Sequence, residues 1–440
     1  MAVMDTQELD ALVQGDKVHR SVYSDPEIFE LEMKRLFGRA WLVLGHESQV
    51  SKPGDYFCTE MARQPVIVSR HEDGSINVLF NRCTHRGSLV CHEQSGNAKQ
   101  FVCPYHGWAY EPNGHLRFVP IAHNYGDDFA ARMPSLNLVP VNRVALYRGF
   151  IFASLAATGP SLLEFLGNMT SSFDDLVDRS PTGEIEIVGG VFKHAYNGNW
   201  KLVLENHNDT VHPAFVHASS VYAASAPETV ASTQVSDISI RQMRQNGASS
   251  EVWEKLGLWT AGEGHSYMGD YHDDKRLVAG INNPVFEEYA EALTARLGSE
   301  RTNDVLSVSR FNSIVYPNCS FMSQFRQLRI VHPIAVDRTV VYTYSFRMKG
   351  APPSLFQDTI AFGNVVNGTA SWVLTDDLEV YERVQKGLTG QLSDWVYLGR
   401  GYGDDQKDEH AMYRGGTGTS EIHIRSQFAA WKHYMTGVKA

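Results

Sequence analysis

Two short segments that each carry one cysteine and one histidine constrain this sequence more than any other feature. Cys83-Thr84-His85 is followed, after 17 residues, by Cys103-Pro104-Tyr105-His106, which gives a C-x-H motif and then a C-x-x-H motif. Each motif is short enough to lie within one loop, so each loop can direct a thiolate and an imidazole to the same point. The pattern indicates a metal site assembled from two loops of one domain.

The pairing of one sulfur and one nitrogen ligand in each loop distinguishes between two kinds of metal site. Structural zinc sites usually use C-x₂₋₄-C with H-x₃₋₅-H, so that like residues are paired. A Rieske-type [2Fe–2S] cluster has two cysteines on one iron and two histidines on the other. We therefore expect Cys83, His85, Cys103 and His106 to hold such a cluster, with zinc as the alternative. The Cys91-His92 pair lies between the motifs, forms no second C-x-H spacing and is expected to be structural.

The sequence around these motifs is typical of a small β domain. Between about residues 41 and 155, stretches rich in β-branched and aromatic residues alternate with Pro-Gly, Asp-Gly and Asn-Gly turns. Residues 1–40 have the periodicity of helices, and residues 156–440 mix helical and strand patterns. We expect a β domain over 41–155 and a larger α+β domain over 156–440, to which residues 1–40 contribute an N-terminal helical segment.

Within the larger domain the predicted elements are unevenly distributed. Residues 232–282 are polar, contain glycine and show little periodicity. Helices are predicted at 161–178, 200–218 and 284–298 and from about residue 375, and strands at 306–348.

A second group of potential metal ligands lies between Asn199 and His217. Asp209 and His212 are three residues apart and share a helical face. His217 follows His212 by five residues, which in an unbroken helix is about 140° around the axis. We expect Pro213 to interrupt or distort the helix, which would allow both imidazoles to reach one metal.

A carboxylate for this second site is available about 160 residues further along the chain. Asp376 and Asp377 lie at the predicted start of a helix. Two histidines and one carboxylate on one face leave open positions on iron(II), as oxygen activation beside a substrate requires. We therefore expect a mononuclear iron site with His212, His217 and one of the two aspartates. The alternative is that these histidines are ordinary core or surface residues.

Composition and charge limit the possible partners. The 440 residues are 43% hydrophobic and 20% charged, which excludes a disordered chain. A formal net charge of −11 provides no general basic surface, so we expect no nucleic-acid partner. Five cysteines are too few for a disulfide scaffold. No segment approaches the ~20 apolar residues of a membrane span, and the first residues lack the features of a secretory signal. We therefore expect a soluble cytoplasmic protein.

With these motifs in place, the sequence resembles the α subunits of Rieske non-haem iron aromatic-ring-hydroxylating oxygenases, the group that includes naphthalene and benzoate dioxygenases. The resemblance extends over almost the whole chain. It rests on CTHRG, CPYHGWAY, GFIF, NWKLVLEN with its D..H....H continuation, YPN and DDLEVYERVQKGL, in this order. It implies an α+β fold with a small all-β Rieske domain and a larger helix-grip, START-like catalytic domain that has a curved antiparallel sheet.

The resemblance also implies roles for individual residues. It assigns the two cysteines and two histidines of the β domain to the cluster, and His212, His217 and Asp377 to the mononuclear iron. Asp377 is preferred to Asp376 because the ligand in this family is usually the second carboxylate of the pair. Asp209 resembles the residue that links a cluster-ligating histidine of one subunit to an iron-ligating histidine of the next.

Other residues near the second site have less definite roles. Asn206 corresponds to an amide that often lies near the iron, with helix capping or buried hydrogen bonding as the alternative. His207 is an extra imidazole that we expect to be a bystander. Arg326 is a candidate partner for a substrate carboxylate, with a structural salt bridge as the alternative. Candidate pocket residues, for which core packing is the alternative, are Val203, Phe215, Val216, Val221, Met322, Phe325, Trp372 and Leu374.

The function implied by the resemblance is that of a terminal oxygenase, which hydroxylates an aromatic substrate with O₂ by cis-dihydroxylation. Electrons would come from NAD(P)H through a reductase, with or without a ferredoxin. A homotrimer or an α₃β₃ assembly with a small β subunit is expected, since head-to-tail interfaces close into rings. One alternative is a Rieske monooxygenase or O-demethylase, which shares every ligand. Another is an electron-transfer or ligand-binding protein whose second site holds no iron.

Overall fold

The structure, a computed structural model, describes residues 4–231, 237–271, 284–306, 310–391, 393–408 and 412–437. The chain forms two compact units. The larger consists of Met1–Leu36 and Leu163–Ala440, and the smaller of Phe37–Leu162. The N-terminal segment therefore belongs to the larger unit, although the smaller unit follows it in sequence.

The N-terminal segment of the larger unit contains short helices and strands. These are α1 Thr6–Ala11, β1 Val13–Gln14, β2 Lys17–His19, α2 Ser21–Ser24 and α3 Pro26–Arg35. The side chain of Asp25 accepts a hydrogen bond from the amide of Glu27 at 2.7 Å, and Pro26 occupies the first helical position of α3. Both residues favour a helix start, because the cap satisfies a free amide and proline has none to satisfy.

The smaller unit consists mainly of short antiparallel strands. Its elements are β3 Leu42–His46, β4 Asp55–Met61, β5 Gln64–Arg70, β6 Ile76–Phe80, β7 Ser95–Asn97, β8 Phe101–Val102, β9 Ala109–Tyr110, β10 Leu116–Phe118, α4 Phe129–Arg132, β11 Arg143–Tyr147 and β12 Phe150–Ser154. The strands form sheets in the orders β6-β5-β4-β7, β10-β9-β8 and β11-β12-β3. The predicted turns at Gly54, Gly74 and Gly114 have positive φ angles, which glycine adopts without strain. The prediction of a small all-β module is confirmed.

The larger unit continues with helices packed on an extended antiparallel sheet. Its helices are α5 Leu162–Leu166, α6 Thr170–Asp178, α7 Lys201–His207, α8 His212–Val216, α9 Ala218–Ser225, α10 Pro227–Ala231, α11 Asp237–Asn246, α12 Ser250–Glu254, α13 Pro284–Leu297, α14 Ser299–Leu306, α15 Pro353–Phe362, α16 Leu374–Gly387 and α17 Ile422–Thr436. Among the residues that the structure describes, none of these helices is both long enough and apolar enough to cross a bilayer.

The strands of this unit complete the predicted α+β architecture. They are β13 Ile185–Ile187, β14 Phe192–Tyr196, β15 Leu256–Ala261, β16 His265–Tyr271, β17 Asn312–Val315, β18 Cys319–Met322, β19 Gln327–Ala335, β20 Arg338–Met348, β21 Trp395–Tyr397, β22 Gln406–Lys407 and β23 Tyr413–Arg414. The main sheet has the order β13-β20-β19-β18-β17-β16-β15-β23-β22, with β14 also paired to β20. Its neighbouring strands are antiparallel, as predicted for this fold.

One prediction about local structure was wrong in its position: the helix predicted at 200–218 is interrupted, but not at Pro213. The segment 200–218 is not one distorted helix but contains α7, α8 and the first residue of α9, with a break at Asn208–Val211. The segment 232–282, which shows little periodicity, contains α11, α12, β15 and β16 among its described residues. These elements are short, and polar residues such as His265 and Ser266 are buried in β16, so the hydrophobic pattern does not reveal them.

A buried ion pair anchors the start of α7. Glu32 on α3 is fully buried, and one carboxylate oxygen, Oε1, lies 2.5 Å from Nζ of Lys201. Trp431 donates a hydrogen bond to the same oxygen at 2.6 Å, and Trp200 donates to Oε2 at 2.8 Å. Lys201 also donates to the carbonyl of Val22 at 2.9 Å. Both charges are therefore hydrogen-bonded, which is the condition for placing an ion pair in a protein interior.

We predict that Glu32→Ala lowers the free energy of unfolding by about 3–5 kcal/mol, since it leaves the Lys201 ammonium buried without its counter-charge. Urea titration followed by circular dichroism measures this change. Glu27→Ala, an exposed position on the same helix, is the matched control and should change stability by less than about 1 kcal/mol. Equal effects of the two substitutions would contradict the assigned role of Glu32.

Candidate metal centres and active site

Both cysteine motifs form five-residue loops with the same backbone hydrogen bond. The amide of Gly87 donates to the carbonyl of Cys83 at 2.9 Å, and the amide of Gly107 donates to the carbonyl of Cys103 at 3.0 Å. The φ angles of Gly87 and Gly107 are 78° and 72°, a left-handed conformation that favours glycine. The first loop follows β6, and the second connects β8 to β9. The repeated Cys-x-x-x-Gly spacing thus folds into two equivalent turns.

The two loops bring four donor side chains together. Cys83 and Cys103 are buried and, in the described portion of the chain, are free thiols. The rings of His85 and His106 lie 4.6 Å apart, measured between centroids. Burial raises the pKa of the Cys83 thiol, and its interaction with Cys103 adds to the rise. Burial lowers the pKa of His85, and the nearby charges of His106 and Arg86 lower it further, which favours the neutral imidazole that binds metals.

The surroundings of these side chains fit an iron–sulfur cluster. The Nδ1 atoms of His85 and His106 are buried and have no hydrogen-bond partner among the described residues. Such a nitrogen is costly unless it binds something, so both are available as ligands. The hydroxyl of Tyr110 lies 3.2 Å from Sγ of Cys83, and Trp108 stacks on His85. Two thiols and two free imidazole nitrogens are the donor set of a Rieske cluster.

Cys91 and His92 lie apart from this donor set, as expected. The side chain of Asn81 accepts hydrogen bonds from the amides of Val90 and Cys91, both at 2.9 Å, and donates to the carbonyl of Cys91 at 2.5 Å. His92 is exposed and lies 3.4 Å from Glu93. Cys91 and His92 therefore belong to the framework of the smaller unit.

In the larger unit, the two histidines of the second group lie at the two ends of a short helix: His212 begins α8, and His217 lies between α8 and α9. α7 ends at His207, and α8 begins at His212. Asp209 lies in the break, and its carboxylate accepts hydrogen bonds from the amides of Val211 at 2.6 Å and His212 at 3.1 Å. Pro213 does not cause the break. It occupies the first turn of α8, where proline is favoured because its missing N–H would have no helical partner.

Three side chains of this group converge on one point. Nε2 of His212 and Nε2 of His217 lie 3.8 Å and 3.4 Å from Oδ1 of Asp377. The three ligand atoms all lie within 4.8 Å of one another. Two imidazoles and one carboxylate at this separation fit a single iron(II) ion and leave open positions on it. Among the described residues, Asp377 and not Asp376 belongs to this group.

Neighbouring polar side chains orient the three convergent residues. Asp376 is partly exposed, and its Oδ2 lies 3.5 Å from Nδ1 of His217, which fixes the tautomer that leaves Nε2 free. Asn206 on α7 donates a hydrogen bond to Oδ1 of Asp377 at 3.2 Å. Asn206 thus lies beside the site, as its counterpart does in the related family, and its contact is with the carboxylate.

Asp209 lies on the other side of His212. Its Oδ1 is 3.9 Å from Nδ1 of His212, and its Oδ2 is 3.6 Å from the guanidinium of Arg400. Burial raises the pKa of Asp209, but interactions with His212, the amide of Val211 and Arg400 outweigh burial and lower the pKa overall. Asp209 is therefore ionised at neutral pH, and its side chain remains 21% exposed.

A cavity opens beside His212, His217 and Asp377. One face of the main sheet contributes His194, Met322, Arg329, Val341 and Thr343. The helices contribute apolar side chains, among them Val203, Phe362, Val366 and Leu374, together with polar ones such as Gln242 and Asn246. The cavity is therefore lined by both polar and apolar side chains, and His212, His217 and Asp377 are among them.

Three of the eight predicted pocket residues line this cavity: Val203, Met322 and Leu374. Phe215 and Trp372 are instead 78% and 53% exposed, so the prediction for them was wrong. α8 is a separate short helix whose buried residue is Pro213, and it therefore turns Phe215 outward.

Three further predicted pocket residues do not line this cavity among the described residues. Val216 and Val221 are partly exposed and do not reach the cavity. Phe325 is buried, but it stacks on Phe362 with centroids 3.9 Å apart, and Phe362 takes the place on the wall.

Several polar residues of the cavity wall were not predicted from the sequence, among them His194 and Arg329. His194 and Arg329 line the cavity, whereas Arg326 does not. Arg326 has a positive φ of 54° in the turn before β19, and its guanidinium donates to Thr359 at 2.5 Å. The available signal for Arg329 was a charged residue inside the apolar strand QLRIVHPIA. His207 also lines the cavity and is hydrogen-bonded to Ser320 at 2.8 Å, outside the group of convergent ligands.

Comparisons with known proteins agree with both sites. Residues 40–139 match the Rieske [2Fe-2S] domain, and residues 183–436 match the catalytic domain of ring hydroxylating alpha subunits. The chain is 35% identical to the toluate 1,2-dioxygenase α subunit of Pseudomonas putida, over 87% of this chain and 82% of that protein. It is 32% identical to the 2-halobenzoate 1,2-dioxygenase large subunit of Burkholderia cepacia, over 88% and 82%.

Solved structures of ring-hydroxylating and related Rieske oxygenases are also similar to this chain. A naphthalene 1,2-dioxygenase with indole in its active site superposes with a TM-score of 0.82 at 26% identity, over 98% of this chain and 95% of that chain. A quaternary ammonium Rieske monooxygenase superposes with a TM-score of 0.66 at 17% identity and shares the fold. Since the catalytic-domain match covers more than half of the chain and the relatives align along most of their lengths, this protein belongs to the family of ring-hydroxylating oxygenase α subunits, which use a Rieske [2Fe–2S] cluster, mononuclear iron and O₂ with electrons from NAD(P)H through a reductase.

Proposed function

We propose that this protein adds both atoms of O₂ to adjacent carbons of an aromatic ring, at a mononuclear iron held by His212, His217 and Asp377. The observation that carries this proposal is the convergence of these three ligand atoms beside a cavity that is lined in part by apolar side chains. The reaction balances as aromatic ring plus O₂, NAD(P)H and one proton, giving a cis-dihydrodiol and NAD(P)⁺. When bound, the cluster supplies single electrons and the iron activates O₂.

The residues of the chain position the ligands and the substrate for this chemistry. Asp376 holds the proton of His217 on Nδ1, so that Nε2 stays available as a ligand. Asn206 restrains one oxygen of Asp377 by a hydrogen bond. The apolar side chains of the cavity exclude water from the substrate ring and orient the ring beside His212, His217 and Asp377.

We further propose that Cys83, Cys103, His85 and His106 hold the Rieske cluster. The equivalent loops and the two unpaired Nδ1 atoms support this assignment. We assign the cluster to a domain over residues 41–155. The mononuclear iron is assigned to a domain that combines residues 156–440 with the N-terminal helical segment, residues 1–40.

Asp209 is proposed to connect the two kinds of centre across a subunit boundary. Its ionised carboxylate lies near Nδ1 of His212 and is partly exposed, so it can accept a hydrogen bond from a histidine of a neighbouring subunit. Such a head-to-tail contact closes into a threefold ring, with or without a small β subunit. A reductase, directly or through a ferredoxin, would deliver electrons to the cluster.

Relatives of this chain are named for different substrates. Toluate, 2-halobenzoate and anthranilate dioxygenases are named for aromatic acids, whereas biphenyl and benzene dioxygenases are named for hydrocarbons. A monooxygenase would use the same ligands, and the solved monooxygenases similar to this chain are 16–17% identical to it, which supports the fold alone. The relatives therefore favour dioxygenation and leave the substrate class to the chemistry of the cavity.

Isotope labelling tests the proposed reaction. The protein, reconstituted with a reductase and NADH, is given ¹⁸O₂ and a panel of benzoate, naphthalene and biphenyl. We expect a cis-diol that carries two ¹⁸O atoms, detected by mass spectrometry. A product with one labelled oxygen would establish monooxygenation instead, and cluster oxidation without any oxidised aromatic would reject both.

Two substitutions of Asp209 test its proposed role. Asp209→Asn keeps an oxygen that can accept from the amides of Val211 and His212 but removes the negative charge. We expect both variants, Asp209→Asn and Asp209→Ala, to retain cluster and iron while turnover falls by about 100-fold. In a single-turnover experiment the reduced cluster should reoxidise slowly even with substrate and O₂ present. Rapid reoxidation and substantial product formation in Asp209→Asn would reject the bridge.

A further inference from the structure

Arg329 lies on the cavity wall in the middle of the main sheet. It belongs to β19, where it is paired with Ser320 of β18 on one side and Thr343 of β20 on the other. The residue is only 7% exposed. Nη2 of its guanidinium donates a hydrogen bond to the thioether sulfur of Met322 at 2.9 Å. Nη1 is buried and has no hydrogen-bond partner among the described residues.

A buried guanidinium in this state lacks the partners that normally compensate its charge. A thioether is a weak acceptor, and no described carboxylate lies within ion-pair distance of Arg329. Asp377 acts on Arg329 over a longer distance, but its carboxylate is already engaged by Asn206 and belongs to the convergent ligands. Arg329 therefore has no direct counter-charge among the described residues.

A second unpaired polar side chain lies on the same wall. His194 of β14 is 5% exposed, and neither of its ring nitrogens has a partner among the described residues. Burial lowers its pKa to about 4, and the charge of Arg329 contributes to this shift, so the ring is neutral and can donate one hydrogen bond. His194 and Arg329 both line the cavity, as does Thr343. Two residues with unpartnered hydrogen-bond donors thus line a cavity to which apolar side chains such as Val203 and Phe362 also contribute.

We propose that Arg329 binds the carboxylate of an aromatic acid substrate, with His194 as an additional hydrogen-bond donor. The proposal rests on the proposed function and specifies its substrate class. A carboxylate would supply the missing counter-charge of Arg329 and accept a hydrogen bond from its Nη1, while the aromatic ring packs against the apolar side chains of the cavity. An aromatic hydrocarbon would fill the same space but leave the guanidinium and the imidazole unpaired, which is strongly disfavoured in a buried site.

Equilibrium binding tests the proposal without requiring turnover. Iron-loaded protein is titrated under anaerobic conditions with benzoate and 2-naphthoate, and with their neutral isosteres benzamide and 2-naphthamide, in a calorimeter. We expect each acid to bind more tightly than its amide. Arg329→Gln should weaken binding of the acids by roughly 30-fold or more while changing binding of the amides little. Arg329→Lys, which keeps the charge, should restore part of the affinity for the acids.

Controls separate substrate binding from a structural role. Arg347→Gln removes an arginine that is 50% exposed on the adjacent strand β20 and should leave all four affinities unchanged. Iron content and the thermal unfolding midpoint are measured for every variant. Amides that bind as tightly as the acids in the wild type, or equal losses for acids and amides in Arg329→Gln, would overturn the proposal. Tight binding of an acid without oxidation of any aromatic ring would instead overturn the proposed function.

Discussion

Two interruptions, one on each side of α8, determine where both iron-binding imidazoles lie. His212 begins α8 after the break that follows α7, and His217 lies between α8 and α9. In one continuous helix, His212 and His217 would be about 140° apart and could not reach one ion. The carboxylate of Asp209 stabilises the break, because it accepts the amides of Val211 and His212 that would otherwise lack partners. The hydroxyl of Thr210 donates to the carbonyl of Gly418 at 2.8 Å and fixes the same segment. Asp209, which is proposed to link the two metal centres, therefore also stabilises the backbone of the iron site.

The buried network around Glu32 holds α7 in place before the break. It joins α3, α7 and α17, so residues distant in sequence fix the direction in which α7 approaches the cavity. A buried ion pair adds little net stability when both charges must be desolvated, but it disfavours alternative packings that leave either charge unpaired. We interpret the network as a positional constraint on Asn206, which lies about one and a half turns further along the same helix and holds Asp377.

The convergence of the candidate ligand residues was easier to predict than the cavity, because cysteine, histidine and paired aspartates stand out in the sequence. Cysteine and histidine in two short loops permit few arrangements, and the two histidines and Asp377 meet in the structure as expected. The origin of the helix break was not predictable from Pro213, since proline is compatible with both a kink and a first turn. The residues that line the cavity were harder to predict, because their positions depend on the orientation of α8 and on the turn before β19. That turn places Arg329 on the wall and Arg326 away from it.

We propose that the chain holds both a cluster and a separate iron, which a count of iron and acid-labile sulfide per chain can distinguish from a cluster alone. Protein purified under anaerobic conditions should contain about three iron and two sulfide. Asp377→Ala should contain about two of each, while Asp376→Asn should keep the third iron. A wild-type protein that stays at about two iron and two sulfide after addition of iron(II) would contradict the account, since only the cluster would then be present.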